Sequence, residues 1–275
     1  MTMREAPHDP AEEWWRTAII DMQPGEIRLR GHDVRELIGE IDFVSMIWLM
    51  TRGERPAPQA ARLLEAALVA GVDHGPQAPS IAIARMAATC GVGVNGAMAS
   101  AVNVLGDVHG GAGEQALRLY DAVLAVSTDD GITLDAAAQR ILEHERAQGR
   151  RYAPGFGHRF HPVDPRAPRL LALVDAAREQ GVIAGRHAAA ARAIEAVLAR
   201  GRARGVPMNI DGATAVIYGE LGFPPELARG LFILSRSVGI LAHAHEQAGM
   251  GERNKGPIPR DRTWRYTGPN PLARG

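Results

Sequence analysis

The segment GFGHRFHPVDPR, residues 155–166, contains two histidines three positions apart and two arginines. Its glycines and prolines disfavour the interior of a helix. Three kinds of site fit these residues: a metal site on His158 and His161, an anion-binding loop, or an acid/base histidine beside arginines that hold an anionic substrate. The segment alone leaves all three open.

A second histidine lies in GDVHGGAGEQA, residues 106–116. His109 precedes two glycines and a predicted helix, an arrangement in which backbone amides and an imidazole meet a developing negative charge. An ordinary glycine-rich turn with a solvated histidine is the alternative interpretation.

Asp211 stands just before an apolar helix in NIDGATAVIYGEL. It is interpreted either as the N-cap of that helix or as a catalytic base.

Arg236 lies within the apolar run LFILSRSVGIL. A buried guanidinium is costly without a partner, so we expect an anion next to it, either an internal carboxylate or a substrate. Gly239, on the same helical face, leaves room for a ligand or a close helix.

Six arginines and a single acidic residue, Asp164, follow one another through residues 146–169, although the whole chain carries no net charge. This local excess suits phosphates or carboxylates, and a solvated basic loop is the alternative. A metal site would use His158, His161, His243, His245 and Glu246. These residues do not have the spacing of zinc motifs, so we predict that no metal is required.

The composition limits the classes of function. The chain has 275 residues, a formal net charge of zero and one cysteine, Cys90. The neutral charge disfavours nucleic acid and anionic membranes as partners. The charged N-terminal segment does not resemble a signal peptide, and no apolar run reads as long enough to cross a bilayer. We therefore expect a soluble, cytoplasmic protein.

Helical periodicity dominates most of the sequence. About ten amphipathic segments are separated by Gly/Pro turns, which predicts an all-α fold. Asp42 is a predicted N-cap of the segment that ends at Gly53, and Pro24-Gly25 predicts a short hairpin. GVGVNG, residues 91–96, fits a dinucleotide fingerprint, but a helical pattern precedes it, so it is interpreted as a turn between helices.

Four segments in this order resemble the citrate synthase superfamily: HGGAGE is similar to its HGGANE, GFGHRFHPVDPR to its GFGHRVYK-x-DPR, NIDG to its N-V-D, and SRSVGILAHAHEQ to its A-R-T-x-G-W-x-A-H-x-x-E. The resemblance implies an all-α, two-domain homodimer. The large domain would comprise residues 1–112 and 212–275, with a C-terminal arm from about residue 254, and the small domain would comprise residues 113–211.

The resemblance also implies the roles of the site residues. Asp211 would remove a proton from the methyl group of acetyl-CoA, and His109 would stabilise the enolate. His158 would polarise the carbonyl of oxaloacetate and give it a proton. The implied ligand-binding residues are Arg166, Arg236 and either Arg260 or Arg262 from the partner's arm for the carboxylates, and Pro154, Gly155, Phe156, Gly157 and Arg159 for coenzyme A.

Two departures from the family pattern bear on the reaction. The chain lacks several helices of full-length citrate synthases, and Gly113 replaces the asparagine of HGGANE. In these respects it is similar to the citryl-CoA lyase module of ATP-citrate lyase, although that module usually lacks the histidine corresponding to His109. The implied function is citryl-CoA lyase chemistry. Citrate synthase, or an inactive paralogue that binds CoA thioesters, are the alternatives.

Overall fold

The computed structural model describes residues 13–259, 261, 262 and 264–269. Near its start, three short strands form an antiparallel sheet: β1 (Ile20–Gln23), β2 (Glu26–Leu29) and β3 (His32–Asp33). The predicted turn at Pro24-Gly25 joins β1 to β2 and pairs Ile20 with Leu29. The hairpin prediction is confirmed, and the third strand was not anticipated.

Helices form the rest of the described chain, as the periodicity predicts. They are α1 (Val34–Leu37), α2 (Phe43–Arg52), α3 (Pro58–Gly71), α4 (Pro79–Thr89), α5 (Val94–Val102), α6 (Ala112–Asp129), α7 (Leu134–Ala147), α8 (Arg166–Glu179), α9 (Arg186–Ala199), α10 (Ile210–Glu220) and α11 (Pro225–Gly249). The all-α prediction is confirmed.

Local sequence sets several helix ends. The Asp42 side chain accepts a hydrogen bond from the backbone N–H of Ser45 and caps α2, and Gly53 ends that helix in the left-handed conformation. The GVGVNG segment follows helix α4 and contains the N-cap of α5, Gly93. The interpretation of this segment as a turn between helices is therefore confirmed.

Two hydrophobic clusters form the core. The larger unites α2, α3 and α6–α11, and the smaller lies between α4, α5 and the second half of α11. Helix α11 belongs to both, with Leu231 in the larger cluster and Ile240 in the smaller. Arg236 lies between these two residues, at the junction of the clusters. The proposed division into two domains stays a prediction.

Helix α11 also corrects one sequence-based expectation. By length and composition alone it is long and apolar enough to cross a membrane, whereas the sequence was expected to contain no such run. In the fold it packs against α3, α4, α5 and α6, and it carries the buried Arg236. A long core helix passes the same test of length and composition.

Candidate active site

The loop that carries His158 is fastened to the start of α10. Three hydrogen bonds join them: the backbone N–H of Asn209 donates to the carbonyl of Gly155 (3.0 Å), the Asn209 side chain donates to the carbonyl of Gly157 (2.7 Å), and the N–H of Gly157 donates to the carbonyl of Pro207 (2.7 Å). Two segments some fifty residues apart in sequence are thereby held together.

This attachment explains two of the glycines. Gly155 has a φ of +84°, and a Cβ there would lie 2.8 Å from the Cα of Gly212. Any side chain at Gly155 would both strain the backbone and separate the loop from α10. The glycines of GFGH and NIDG therefore set how closely His158 and Asp211 approach each other.

Asp211 lies in the first turn of α10 but does not cap it. The cap is Asn209, whose Oδ1 accepts hydrogen bonds from the N–H groups of Asp211 (3.0 Å) and Gly212 (3.2 Å). The N-cap interpretation of Asp211 is therefore wrong, because the side chain two residues earlier already fills that role. No described residue donates a hydrogen bond to the Asp211 carboxylate, which lines the central cavity.

Burial raises the pKa of the Asp211 carboxyl, although the positive charges of Arg166 and Arg236 oppose the shift. A carboxyl group with a raised pKa holds and releases a proton closer to neutral pH than an exposed aspartate does. The environment therefore suits Asp211 to general acid/base chemistry.

His109 is oriented by the first turn of α4. Its Nε2 accepts a hydrogen bond from the backbone N–H of Ser80 (3.1 Å) and lies 3.0 Å from the Ser80 hydroxyl. Because a backbone N–H can only donate, Nε2 carries no proton, and the neutral ring holds its hydrogen on Nδ1. Burial, followed by the charge of Arg236, lowers the pKa of His109 and favours this neutral form.

His158 has the opposite tautomer. Its Nδ1 accepts hydrogen bonds from the backbone N–H groups of Phe160 (3.1 Å) and His161 (3.0 Å), so the neutral ring carries its hydrogen on Nε2. That nitrogen lies 4.0 Å from Oδ2 of Asp164. Burial lowers the pKa of His158 despite this carboxylate. The ring therefore offers one N–H donor from Nε2.

Asp164, for which no role was predicted from the sequence, organises this part of the site. Its buried carboxylate accepts from Nε and Nη2 of Arg166, both at 2.9 Å, and from the backbone N–H of Ile210 at 3.1 Å. Burial raises the pKa of Asp164, but the hydrogen bonds and charge of Arg166 outweigh it and bring the pKa to about 2. Asp164 thus joins the starts of α8 and α10 beside His158.

Arg236 is buried, as the sequence predicts, with 5% of its surface exposed. Its Nε donates to the carbonyl of Gly71 (3.1 Å), and the guanidinium lies over the ring of Phe232. Burial lowers its pKa, and Arg236 forms no ion pair with any residue that the structure describes. The charges of Asp211 and Asp73 act on Arg236, but neither carboxylate lies within ion-pair distance of it, and the guanidinium lines the cavity.

These residues surround one cavity of about 610 Å³. His109, His158, Asp211 and Arg236 all line it, as do Gly157 and Arg159. A neighbouring cavity of about 300 Å³ is lined by Arg166 and shares His158. The structure thus gathers the predicted acid/base residues and the two predicted arginines around adjoining spaces.

His74 lines both cavities and was missed by the sequence analysis. Its ring lies 6.1 Å from that of His158. Burial and the charges of Arg166 and Arg236 lower the pKa of His74. In the sequence, His74 stands before a glycine and a proline and has the pattern of an ordinary turn residue.

Only some residues of the loop predicted to bind coenzyme A line the main cavity. Gly157 and Arg159 line the main cavity, whereas Phe156 is buried against Tyr120 in the core. Gly155 is packed against Gly212, and Pro154 lines a separate small pocket. Contact of this loop with coenzyme A stays a prediction.

Of the two arginines predicted to reach the partner's site from the C-terminal arm, only Arg262 is described, and it does not line the cavity. Arg262 is exposed, and its N–H donates to the carbonyl of Pro259. Arg260 lies outside the described residues. Among the residues that the structure describes, no group of three His, Cys, Asp or Glu side chains has the geometry of a metal site.

Two neutral histidines of opposite tautomer and a buried carboxyl group surround one cavity of this all-α fold. This arrangement is typical of an acid/base site. The family profile described as "Citrate synthase, C-terminal domain" matches residues 42–262. The citrate synthase of Haloferax volcanii is 32% identical over 88% of this chain, which spans 60% of that relative. The chain therefore belongs to the citrate synthase family.

Two solved structures extend the comparison. The citryl-CoA lyase of Hydrogenobacter thermophilus superposes with a TM-score of 0.82 at 30% identity. The superposition includes 95% of this chain and 97% of the lyase chain. The ATP citrate lyase of Methanothrix soehngenii, in complex with citrate and coenzyme A, gives a TM-score of 0.77 at 19% identity, over 98% of this chain and 46% of its own. The latter likeness concerns the fold alone.

Proposed function

We propose that this protein makes or breaks the carbon–carbon bond between the acetyl group of acetyl-CoA and oxaloacetate, as a citryl-CoA lyase does. The observation that carries the proposal is the shared cavity of His109, His158 and Asp211, in which backbone donors fix the hydrogen of each imidazole. Each of the three side chains acts on a different substrate atom: Asp211 on the methyl carbon, His109 on the enolate oxygen, and His158 on the carbonyl oxygen of the keto acid.

Asp211 exchanges the proton on carbon. In cleavage it protonates the enolate of acetyl-CoA, and in condensation it removes a methyl proton. The burial that raises its pKa favours the protonated form needed in the cleavage direction.

His109 meets the enolate oxygen. The Ser80 N–H at its Nε2 leaves the Nδ1 hydrogen free to donate. A fixed donor is worth most when it faces charge that exists only in the transition state and when water is excluded. His109 therefore supplies stabilisation without exchanging a proton.

His158 serves the oxygen that is a carbonyl in oxaloacetate and a hydroxyl in citryl-CoA. In condensation its Nε2–H donates to this oxygen and transfers its proton there. Cleavage is the reverse step, in which a ring that has lost the Nε2 hydrogen accepts the hydroxyl proton of citryl-CoA at Nε2. Arg236, with no ion pair in the described chain, and Arg166 bind the carboxylates of the keto acid. The acyl-CoA and the keto acid are substrates, and the proposal requires no metal.

The lyase reaction is favoured over citrate synthase by the structural likeness. The citryl-CoA lyase superposes with a TM-score of 0.82 at 30% identity, whereas the citrate synthase of Pyrobaculum aerophilum superposes with a TM-score of 0.66 at 26% identity. Citrate synthase activity, which adds hydrolysis of the thioester, is the second candidate, because the retained His109 also suits condensation. An inactive CoA-thioester-binding paralogue is disfavoured, because no expected acid/base position is filled by an inert residue.

A homodimer is part of the proposal. Leu234, Val238 and Leu241 follow one another at helical spacing along α11 and are exposed. Such a stripe on a long helix suits a symmetric contact with a second copy. The arm from about residue 254 would then bring Arg260 or Arg262 to the partner's cavity.

We expect Val238→Glu to convert the dimer into a monomer, as measured by analytical sedimentation. A wild-type protein that sediments as a monomer at micromolar concentration and has full activity would refute the dimer.

Product analysis separates the candidate functions. The purified protein is supplied with citryl-CoA in one reaction and with acetyl-CoA plus oxaloacetate in another. A lyase yields acetyl-CoA and oxaloacetate from citryl-CoA without releasing free CoA. A synthase releases free CoA from the second mixture, and a binding paralogue transforms neither substrate.

A further inference from the structure

The turn after α3 that carries His74 into the site is held by one face of α11. Arg236 donates from Nε to the carbonyl of Gly71 at 3.1 Å. One turn further along, Gly239 lies so close to Val72 that a Cβ at this position would be 2.2 Å from the Val72 carbonyl oxygen. The absent side chain therefore lets the turn lie directly against α11.

His243 makes the third contact on this face. It stands four residues after Gly239 and is largely buried, outside the cavity. Its Nε2 lies 3.3 Å from Oδ1 of Asp73, the residue before His74. This oxygen is buried and accepts no hydrogen bond of regular geometry from any residue that the structure describes, so the His243 ring is a donor close to an unsatisfied acceptor. The other carboxylate oxygen of Asp73 accepts from the N–H of Gly75 at 3.2 Å, which closes the turn around His74.

Arg85 sets the direction of the contact between His243 and Asp73. Its Nη1 lies 3.0 Å from Nδ1 of His243. A guanidinium can only donate, so Nδ1 accepts and the hydrogen of the ring lies on Nε2, the ring nitrogen nearer to Asp73. Glu246 lies 2.5 Å from the same Nη1 and balances the charge of Arg85.

We propose that His243 is a positioning residue for the reaction proposed above: held by Arg85, its Nε2–H is the donor that the buried Oδ1 of Asp73 otherwise lacks, and this interaction fixes the turn that presents His74 to the keto acid. It does not touch substrate. The network Arg85–His243–Asp73 links the packing of α4 and α11 to the orientation of a cavity side chain.

Two substitutions separate the contacts of His243. Gln places an amide N–H near the position of Nε2 and can still donate to Asp73, whereas Asn places an oxygen near Nδ1 and can accept only from Arg85. We expect His243→Asn to raise the KM for the keto acid about tenfold with little change in kcat, as for a lost hydrogen bond. His243→Gln should restore a KM near that of the wild type, and His245→Ala, an exposed histidine on the same helix, is the control.

A second readout does not depend on activity. The ring signals of His74 in ¹⁵N-histidine NMR spectra, assigned with His74→Asn, should shift in His243→Asn and stay in place in His243→Gln. If both variants leave the His74 signals unchanged, or lower Tm equally without separating in KM, His243 is only a packing residue and the inference is wrong. If the wild type turns over no substrate, the proposed function fails while the NMR comparison still decides the role of His243.

Discussion

Asn209 accepts a hydrogen bond from the backbone N–H of Asp211 at 3.0 Å and so caps α10 in its place. The Asp211 side chain is thereby released from a structural duty and lines the cavity. The sequence suggests two alternative roles for Asp211, helix cap or acid/base group. In the structure Asn209 is the cap, so the two roles belong to different residues and can be tested separately.

Asp211→Asn should slow turnover strongly without destabilising the fold. We expect kcat to fall about 100- to 10,000-fold, the span for a lost general acid or base. Because the folded-state pKa of Asp211 is raised, ionisation of this carboxyl opposes folding as pH rises above its ordinary value of about 4. Tm at pH 8 should therefore hold or rise, with the gain disappearing towards pH 4.

Asn209→Ala is the comparison for stability, because it removes both the cap and the hydrogen bond to the Gly157 carbonyl. It should lower the free energy of unfolding by about 2 kcal/mol. If Asp211→Asn melts the protein while the folded fraction keeps full activity, the catalytic assignment of Asp211 is wrong.

His109→Ala should reduce kcat about 100- to 1,000-fold, as for loss of one oxyanion donor. Ser80→Ala keeps the backbone N–H that fixes the His109 tautomer, so its kcat should change by no more than about threefold. Steady-state kinetics on the two variants checks the point. Equal losses would show that the Ser80 hydroxyl, and not the His109 ring, carries the effect.

Arg236→Leu should weaken keto-acid binding by at least about 30-fold, because a substrate carboxylate loses its buried partner. Thermal stability should hold or rise, since the variant removes a guanidinium with no ion pair in the described chain from an apolar helix. Calorimetric titration with oxaloacetate measures the affinity, and Arg236→Lys, which keeps the charge but not the fork, should lie between the two. Unchanged affinity in Arg236→Leu would exclude this residue from the keto-acid site.

Asp164→Asn should destabilise the protein in a pH-dependent way. A carboxyl whose pKa is depressed to about 2 contributes stability above its unfolded pKa and loses it as pH falls towards 2. The shift corresponds to about 2 kcal/mol at pH 7. Chemical unfolding of both proteins between pH 7 and pH 2 should show the difference shrinking with acidification, and a constant difference would indicate lost packing instead.

The helices and several of their ends could be predicted because they depend on local patterns. Asp42 and Gly53 act through bonds within a few residues, and the all-α class follows from periodicity along the chain. The burial of Arg236 was also readable, since an arginine in so apolar a run has few other environments.

Contacts between segments that are distant in the sequence could not be predicted from local patterns. Ser80 orients His109 through a backbone N–H, which every residue except proline supplies, so its side chain gives no indication of the role. His74 reaches the site only because Gly239 lets a turn lie against α11, a contact across more than 160 residues. The cap at Asn209 was overlooked because Asp211, two positions later, suits the same role by residue type.

The proton transferred to carbon tests the central claim most directly. Citryl-CoA is incubated with the protein in D₂O, and the acetyl-CoA formed is analysed by mass spectrometry. The proposed reaction predicts acetyl-CoA with one deuterium in its methyl group, together with oxaloacetate, and product formation at least about 100-fold slower from Asp211→Asn. Release of citrate and free CoA, or no acetyl-CoA from the wild type, would contradict it.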